Sequence, residues 1–173
     1  MLSLDSLTGT DLVLVGMADL AVIREQPVTL CTSPLGACLA VAIFDPVRKI
    51  AGVLNSMLPE ASIDPKRAGE RPGMFLDSGL TALVDRAVEL GALPERLEIF
   101  VAGGARILDE TSYFNIGNRN FGVLESWMKA RGLVLVAADV GGLSNRSLQL
   151  NGMTGQVRLK ISGQPKLKIL CKP

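Results

Sequence analysis

Histidine is absent from all 173 residues of this chain. That gap removes the most frequent general base and metal ligand, and the one side chain whose ordinary pKa lies between pH 5 and 8. Cysteine is scarce. Cys31, Cys38 and Cys171 are an odd number, show no CxxC spacing and have no histidine to complete a zinc site, so no metal or other cofactor is expected. The same count speaks against a disulfide framework and for a reducing, cytoplasmic setting. Aromatic residues make up only 4%, which leaves a core of Leu, Val, Ile and Ala. Excess charge of either sign is missing, with 18 basic residues against 17 acidic ones, and nothing in that balance asks for nucleic acid or an anionic membrane. No apolar run approaches the roughly 20 residues that span a bilayer, so direct membrane insertion is not expected. The N-terminus carries Asp5 and Asp11 without a basic segment and does not read as a signal peptide. The expectation is one domain over residues 1–173, opened by a polar lead-in over residues 1–10.

What is present alternates between strand and helix patterns. Asp11 to Ala18 is an apolar β-type run interrupted by Gly16, and Val28 to Thr32 is a short strand. Leu39 to Phe44 and Ile50 to Leu54 flank Asp45-Pro46-Val47-Arg48, a hairpin with its turn chemistry in place. Residues 60–73 are charged and rich in Pro and Gly, and read as a long surface loop. From Met74 to Leu90, Leu76, Leu80, Leu83, Val84 and Ala87 recur every three or four residues, an amphipathic helix capped by Gly91. Leu97 to Ala102 is a strand, and a second helix runs from about Asn118 or Asn120 to Arg131. Leu133 to Ala138 is a strand whose unbroken apolar character predicts burial on both faces. Ser147 to Leu150, Gln156 to Ile161 and Lys166 to Leu170 complete the strands. The implied fold class is α/β, a sandwich with mixed sheets and two main helices. The pairs Gly103-Gly104 and Gly141-Gly142 match neither GxGxxG nor GxxxxGK[ST], so they are not read as phosphate loops.

Chemistry centres on Thr32-Ser33-Pro34-Leu35-Gly36-Ala37-Cys38, where a glycine-bearing turn delivers a thiol to the start of a strand. Cysteine is the strongest thiol or hydroxyl nucleophile at neutral pH, Gly36 permits close backbone approach, and Thr32 can supply a hydroxyl. A thiol with a pKa of about 8.5 needs a partner to take its proton. Most free cysteines are simply small buried hydrophobes, and that is the competing reading of Cys38. The hairpin names a neighbour. A two-residue loop at Pro46-Val47 puts Cys38 opposite Asn55, and a four-residue loop pairs Asn55 with Ala40 and makes Cys38 its diagonal neighbour on the same face. Only an odd loop length would separate the two.

Several segments together resemble the CheD family, the bacterial chemoreceptor glutamine deamidases, over nearly the whole chain. They are Val15 to Ala18, Thr32 to Pro46, Gly52 to Pro59, Gly103-Gly104-Ala105, Ile116 to Asn120, and Asp139 to Gly142 with Arg146, Thr154 and Gly155 beyond. The resemblance implies a three-layer α/β fold. It also implies a Cys-His-Thr triad that hydrolyses receptor glutamine amides to glutamates, with Cys38 at the nucleophile position and Thr32 at the threonine position. Asn55 stands at the family's histidine position.

An asparagine amide neither accepts nor donates a proton near pH 7, so it can orient a neighbour without replacing an imidazole. Two readings follow. In the first, this is a degenerate member that works by binding receptor cytoplasmic helices or, as the resemblance implies, a CheC-type phosphatase. In the second, it remains an amidohydrolase with Asp139, Asp45, Glu60, the segment 60–73 or a partner's residue as base. A carboxylate beside an ionising thiol would raise the thiol's pKa, which counts against the second.

Overall fold

Strand and helix alternate as β1 (Asp11–Val15), β2 (Asp19–Arg24), β3 (Val28–Thr32), β4 (Leu39–Asp45), β5 (Ile50–Ser56), α1 (Pro65–Glu70), α2 (Leu76–Glu89), β6 (Glu98–Gly103), α3 (Ile116–Lys129), β7 (Leu135–Val140), β8 (Arg146–Asn151), β9 (Val157–Ile161) and β10 (Lys168–Cys171). The computed structural model describes residues 11–106 and 115–171, and the lead-in over residues 1–10 lies outside them. The strands form two five-stranded mixed sheets, an outer one ordered β1-β3-β8-β9-β10 and a central one ordered β2-β5-β4-β6-β7. With α2 and α3 packed on the free side of the central sheet, the architecture is the expected three-layer α/β sandwich.

Alternation along β4 separates the two cores. Leu39, Val41 and Ile43 point to the helices and meet Leu54, Leu80, Leu83 and Leu124. Ala40, Ala42 and Phe44 point the other way, to Val15, Leu30, Val53, Phe100 and Leu148 between the sheets. Gly52 brings α2 close, since a Cβ there would lie 3.0 Å from both Ile43 and Leu83. The helix buries Leu76, Leu80, Leu83 and Ala87 as the period predicts, although Val84 is only partly covered.

The β4–β5 hairpin closes with the four-residue loop, so Asp45 pairs with Ile50 and Ala40 with Asn55. Asp45 Oδ1 accepts from the N–H groups of Val47 and Arg48, and Lys49 takes the left-handed conformation at φ 51°. Burial alone would raise the Asp45 carboxyl, but the Arg96 guanidinium and the N–H groups of Arg48, Leu93 and Val47 outweigh it and hold the pKa below its ordinary value.

Three expectations need correction. The run from Leu133 is not buried on both faces: β7 is an edge strand paired only with β6, and Val134 is 75% exposed. An unbroken apolar run cannot by itself distinguish a covered strand from an edge strand with one open face. Residues 60–73 are not an irregular loop either. They wind into α1 between two short 3₁₀ turns, because the Asp64 side chain caps the Arg67 N–H and Pro65 occupies the first helical turn. Finally, β2 was not foreseen, and α3 starts at Ile116, earlier than the apolar stripe suggests.

Candidate functional site

The turn leading to Cys38 is fastened on both sides by backbone bonds. Leu35 and Arg146 exchange N–H to carbonyl bonds of 2.7 and 3.3 Å, the Ala105 N–H donates to Gly36 at 2.9 Å, and the Gly104 N–H donates to the Cys38 carbonyl at 2.9 Å. The glycine pair at 103–104 therefore serves backbone approach. Gly103 has φ +116°, and a Cβ on it would overlap the Cys38 carbonyl; one on Gly117, in the first turn of α3, would overlap Gly104. β6 can press against the Cys38 backbone, and the start of α3 against Gly104, only because these residues carry no side chain.

Extending the β4–β5 register by one residue places Cys38 opposite Met57, with Asn55 as its diagonal neighbour. Such neighbours lie about 7–8 Å apart. Both belong to the face toward the inter-sheet core, where the half-buried Cys38 packs. Asn55 is 1% exposed, and its Nδ2 donates to the Val15 carbonyl at 3.3 Å. Val15 is in turn the ladder partner of Thr32. The three positions singled out from the sequence thus gather at one end of the sandwich, Thr32 from the outer sheet and Cys38 and Asn55 from the central one. Only Cys38 is partly exposed there. Thr32 is buried, and its Oγ1 accepts the Leu148 N–H at 3.0 Å, extending the β3–β8 ladder past its last backbone pair while leaving its own O–H to donate.

Burial pushes the Cys38 thiol above its ordinary pKa, its own backbone N–H pulling the other way, and no cationic side chain contributes. Asn55 Oδ1 is buried with no hydrogen-bond partner among the described residues. The ensemble can hold and orient a polar group, and neither the asparagine amide nor the threonine hydroxyl exchanges protons readily near pH 7. Cys31 points to the opposite face of the outer sheet, its sulfur 3.6 Å from the Val13 carbonyl, and takes no part.

Two of the three carboxylates weighed as substitute bases are engaged by cations, and the third lines a groove elsewhere. Asp139 lies toward this end of the sandwich but pairs with Arg146 at 2.8 Å and with Lys168 at 2.6 Å. Asp45 sits at the far end of β4, bound by Arg96 at 2.6 Å. Glu60 lines a groove over the helix layer with Asp77, Arg119 and Trp127.

Two contributors had no role assigned from the sequence. Arg146, 5% exposed, donates through Nη1 to the carbonyls of Asp139 and Gly103 and through Nη2 to those of Gly141 and Ser144, clamping the loops behind Cys38. Asn120, fully buried in α3, donates to the Met57 carbonyl at 3.2 Å and leaves its Oδ1 unpaired among the described residues. The signal for Asn120 was an amide between apolar positions of an amphipathic helix. Arg146 had none beyond its place in the family resemblance, because its partners lie at the end of β6, in β7 and in the loop after β7.

Comparison with known proteins adds an independent line. Residues 57–161 match the family model described as CheD chemotactic sensory transduction, a match that begins just after Asn55. The chain is 39% identical over 153 residues to the probable chemoreceptor glutamine deamidase CheD 1 of Syntrophus aciditrophicus, covering 88% of this chain and 96% of that protein. It is 37% identical over 154 residues to the probable chemoreceptor glutamine deamidase CheD of Solibacter usitatus, covering 89% and 91%. It is also 35% identical over 156 residues to the chemoreceptor glutamine deamidase CheD of Thermotoga maritima, covering 90% and 96%.

Proposed function

Because the chain belongs to the CheD family, we propose that it is a cytoplasmic chemotaxis protein that engages chemoreceptors chiefly by binding. In this reading its glutamine deamidase activity is impaired, since Asn55 stands where the family carries its histidine. One observation carries it: the neighbour that the hairpin supplies to Cys38 is an amide, in a chain with no imidazole to replace it.

Deamidation by Cys38 would require the thiolate to attack the glutamine amide carbon, form a thioester and expel ammonia; water would then release the glutamate. Ammonia leaves only with an added proton, and the thiol must first lose one. A histidine performs both transfers, and such assistance is typically worth 10²–10⁴-fold. Burial holds Cys38 in the thiol form, and Asn55 serves neither transfer. Thr32 would orient the neighbouring amide, and the backbone around Gly103-Gly104 would keep the pocket in shape. The same binding role extends to a CheC-type phosphatase as second partner.

The test is a mass-spectrometric count of glutamine-to-glutamate conversion on intact receptor, beside a binding measurement. The expected result is receptor binding with conversion close to background in both the wild type and Cys38→Ala. Robust conversion by the wild type that disappears in Cys38→Ala would overturn the impaired reading.

A further inference from the structure

The layers are unequally covered. The central sheet has α2 and α3 on its free side, whereas the outer sheet has no helix against its free face among the described residues. A groove of about 520 Å³ crosses that face, lined by Leu12 and Leu14 of β1, Cys31 of β3, Ser147 and Gln149 of β8, and Lys160 of β9. Leu12 is 46% and Leu14 65% exposed, a high value for leucines at a groove wall. The groove spans four neighbouring strands, hence about 14 Å at the usual strand spacing. That suits a helix, whose diameter with side chains is about 10–12 Å.

Charge on this face is one-sided. The last carboxylate side chain in the sequence is Asp139, so β8, β9 and β10 contain none, β3 contains none, and Asp11 at the start of β1 is the outer sheet's sole acid. Val157, Leu159 and Ile161 of β9 go into the core, which turns Arg158 and Lys160 outward. Neither forms an ion pair among the described residues, while Asp139 is already occupied by Arg146 and Lys168. The groove is also continuous with the site, because Thr32, Ser33 and Pro34 form one end of it and lead directly to Cys38.

We infer that the free face of the outer sheet docks an acidic amphipathic helix, its apolar residues over Leu12 and Leu14 and its carboxylates over Arg158 and Lys160. The inference rests on the functional reading above, in which that helix belongs to the receptor's cytoplasmic part. Exposed leucines with few cations fit such a helix better than nucleic acid, whose backbone calls for a dense basic stripe.

The experiment measures binding of a fluorescent receptor cytoplasmic fragment to the full chain by anisotropy. Its variants are Arg158→Glu with Lys160→Glu, Leu14→Lys, and Arg86→Glu on the exposed side of α2 as a charge control on the opposite layer, each checked by circular dichroism for native folding. The charge reversal is expected to raise Kd at least tenfold, Leu14→Lys several-fold, and Arg86→Glu not at all, with wild-type binding weakened by added salt. Equal Kd for all folded variants would overturn the docking face and leave receptor binding standing. No binding by the wild type would overturn the receptor reading and this inference with it. Full competition by vesicles of phosphatidylglycerol and phosphatidylcholine would overturn the helix in favour of a lipid surface.

Discussion

At one end of the β4–β5 hairpin, Asp45 is wholly buried and both its oxygens are engaged, Oδ1 by Val47, Arg48 and Arg96 and Oδ2 by Leu93 and Arg96. At the other end, Asn55 is just as deeply buried, but only its Nδ2 is engaged and its Oδ1 has no partner among the described residues. The strands are the same and the local covering is similar, so the difference lies in the partners each end finds. Buried polar groups that serve the fold are normally satisfied, because an unpaired one costs about 1–3 kcal/mol. The unsatisfied end is the one that holds Cys38. Two equally buried ends of one hairpin thus differ in how completely their hydrogen bonds are used.

The sharpest way to test that contrast is to give the Cys38 end the group it lacks. In Asn55→His, an imidazole N–H can donate to the Val15 carbonyl that Asn55 now uses, and the other nitrogen is left to take the Cys38 proton. Deamidation of receptor glutamines should rise by about 10²-fold or more, as general acid–base assistance does elsewhere, and should vanish again when Cys38→Ala is added. Mass-spectrometric conversion counts measure it. The single substitution is preferable to one that also enlarges Ser56, which is fully buried with its Oγ donating to Met74. An unchanged rate in a folded Asn55→His protein would show that the site has drifted by more than one residue.

Between the two ends the hairpin is ordinary core, and it should behave so. Leu83 is fully buried and lies over Gly52. Leu83→Ala should cost about 2–5 kcal/mol in chemical denaturation, as for well-packed leucines. A loss below about 1 kcal/mol, outside that range, would mean α2 is not seated on β5 as described. Thr32→Val is a smaller test on the site's own rim. It preserves shape but leaves the Leu148 N–H without its acceptor, at a cost of about 1–3 kcal/mol. No loss of stability would mean that this N–H finds another partner and that the Thr32 hydroxyl is free of structural duty.

How far this was legible in the sequence follows the same division. Cys38 and Asn55 could be placed together because every even loop length gives them one face, so the conclusion survived uncertainty between two and four loop residues, and the longer loop is the one adopted. The face of α2 was legible from its period. β7 was misread because its exposed valines look like core residues in sequence and only the sheet order makes it an edge. The segment at 60–73 was misread because Pro and Gly were weighed as loop residues, although Asp64-Pro65 was already a helix-start signal. At the candidate site, side-chain identities were readable, but the Arg146 clamp and the unpaired oxygen of Asn55 were not, since both depend on which distant carbonyls tertiary structure brings within reach.

The smallest expected effect belongs to the satisfied end and appears only in acid. Asp45 has a folded pKa below its ordinary value of 3.8, so the charged carboxylate is favoured by folding. Such a group stabilises fully above its unfolded pKa, and the contribution is lost as pH falls through the lower folded value. Asp45→Asn removes the charge at every pH while keeping the size and one acceptor. The difference in thermal midpoint between wild type and Asp45→Asn should therefore be constant from neutral pH to about pH 5, then shrink as pH falls below about 4, near the ordinary aspartate pKa. Thermal unfolding at half-unit pH steps would show it. A difference that persisted unchanged to the lowest pH at which the protein folds would mean that Asp45 contributes by shape and neutral hydrogen bonding rather than by charge. The contrast between the two ends would then rest on bond count alone, because neither would depend on an ionised group.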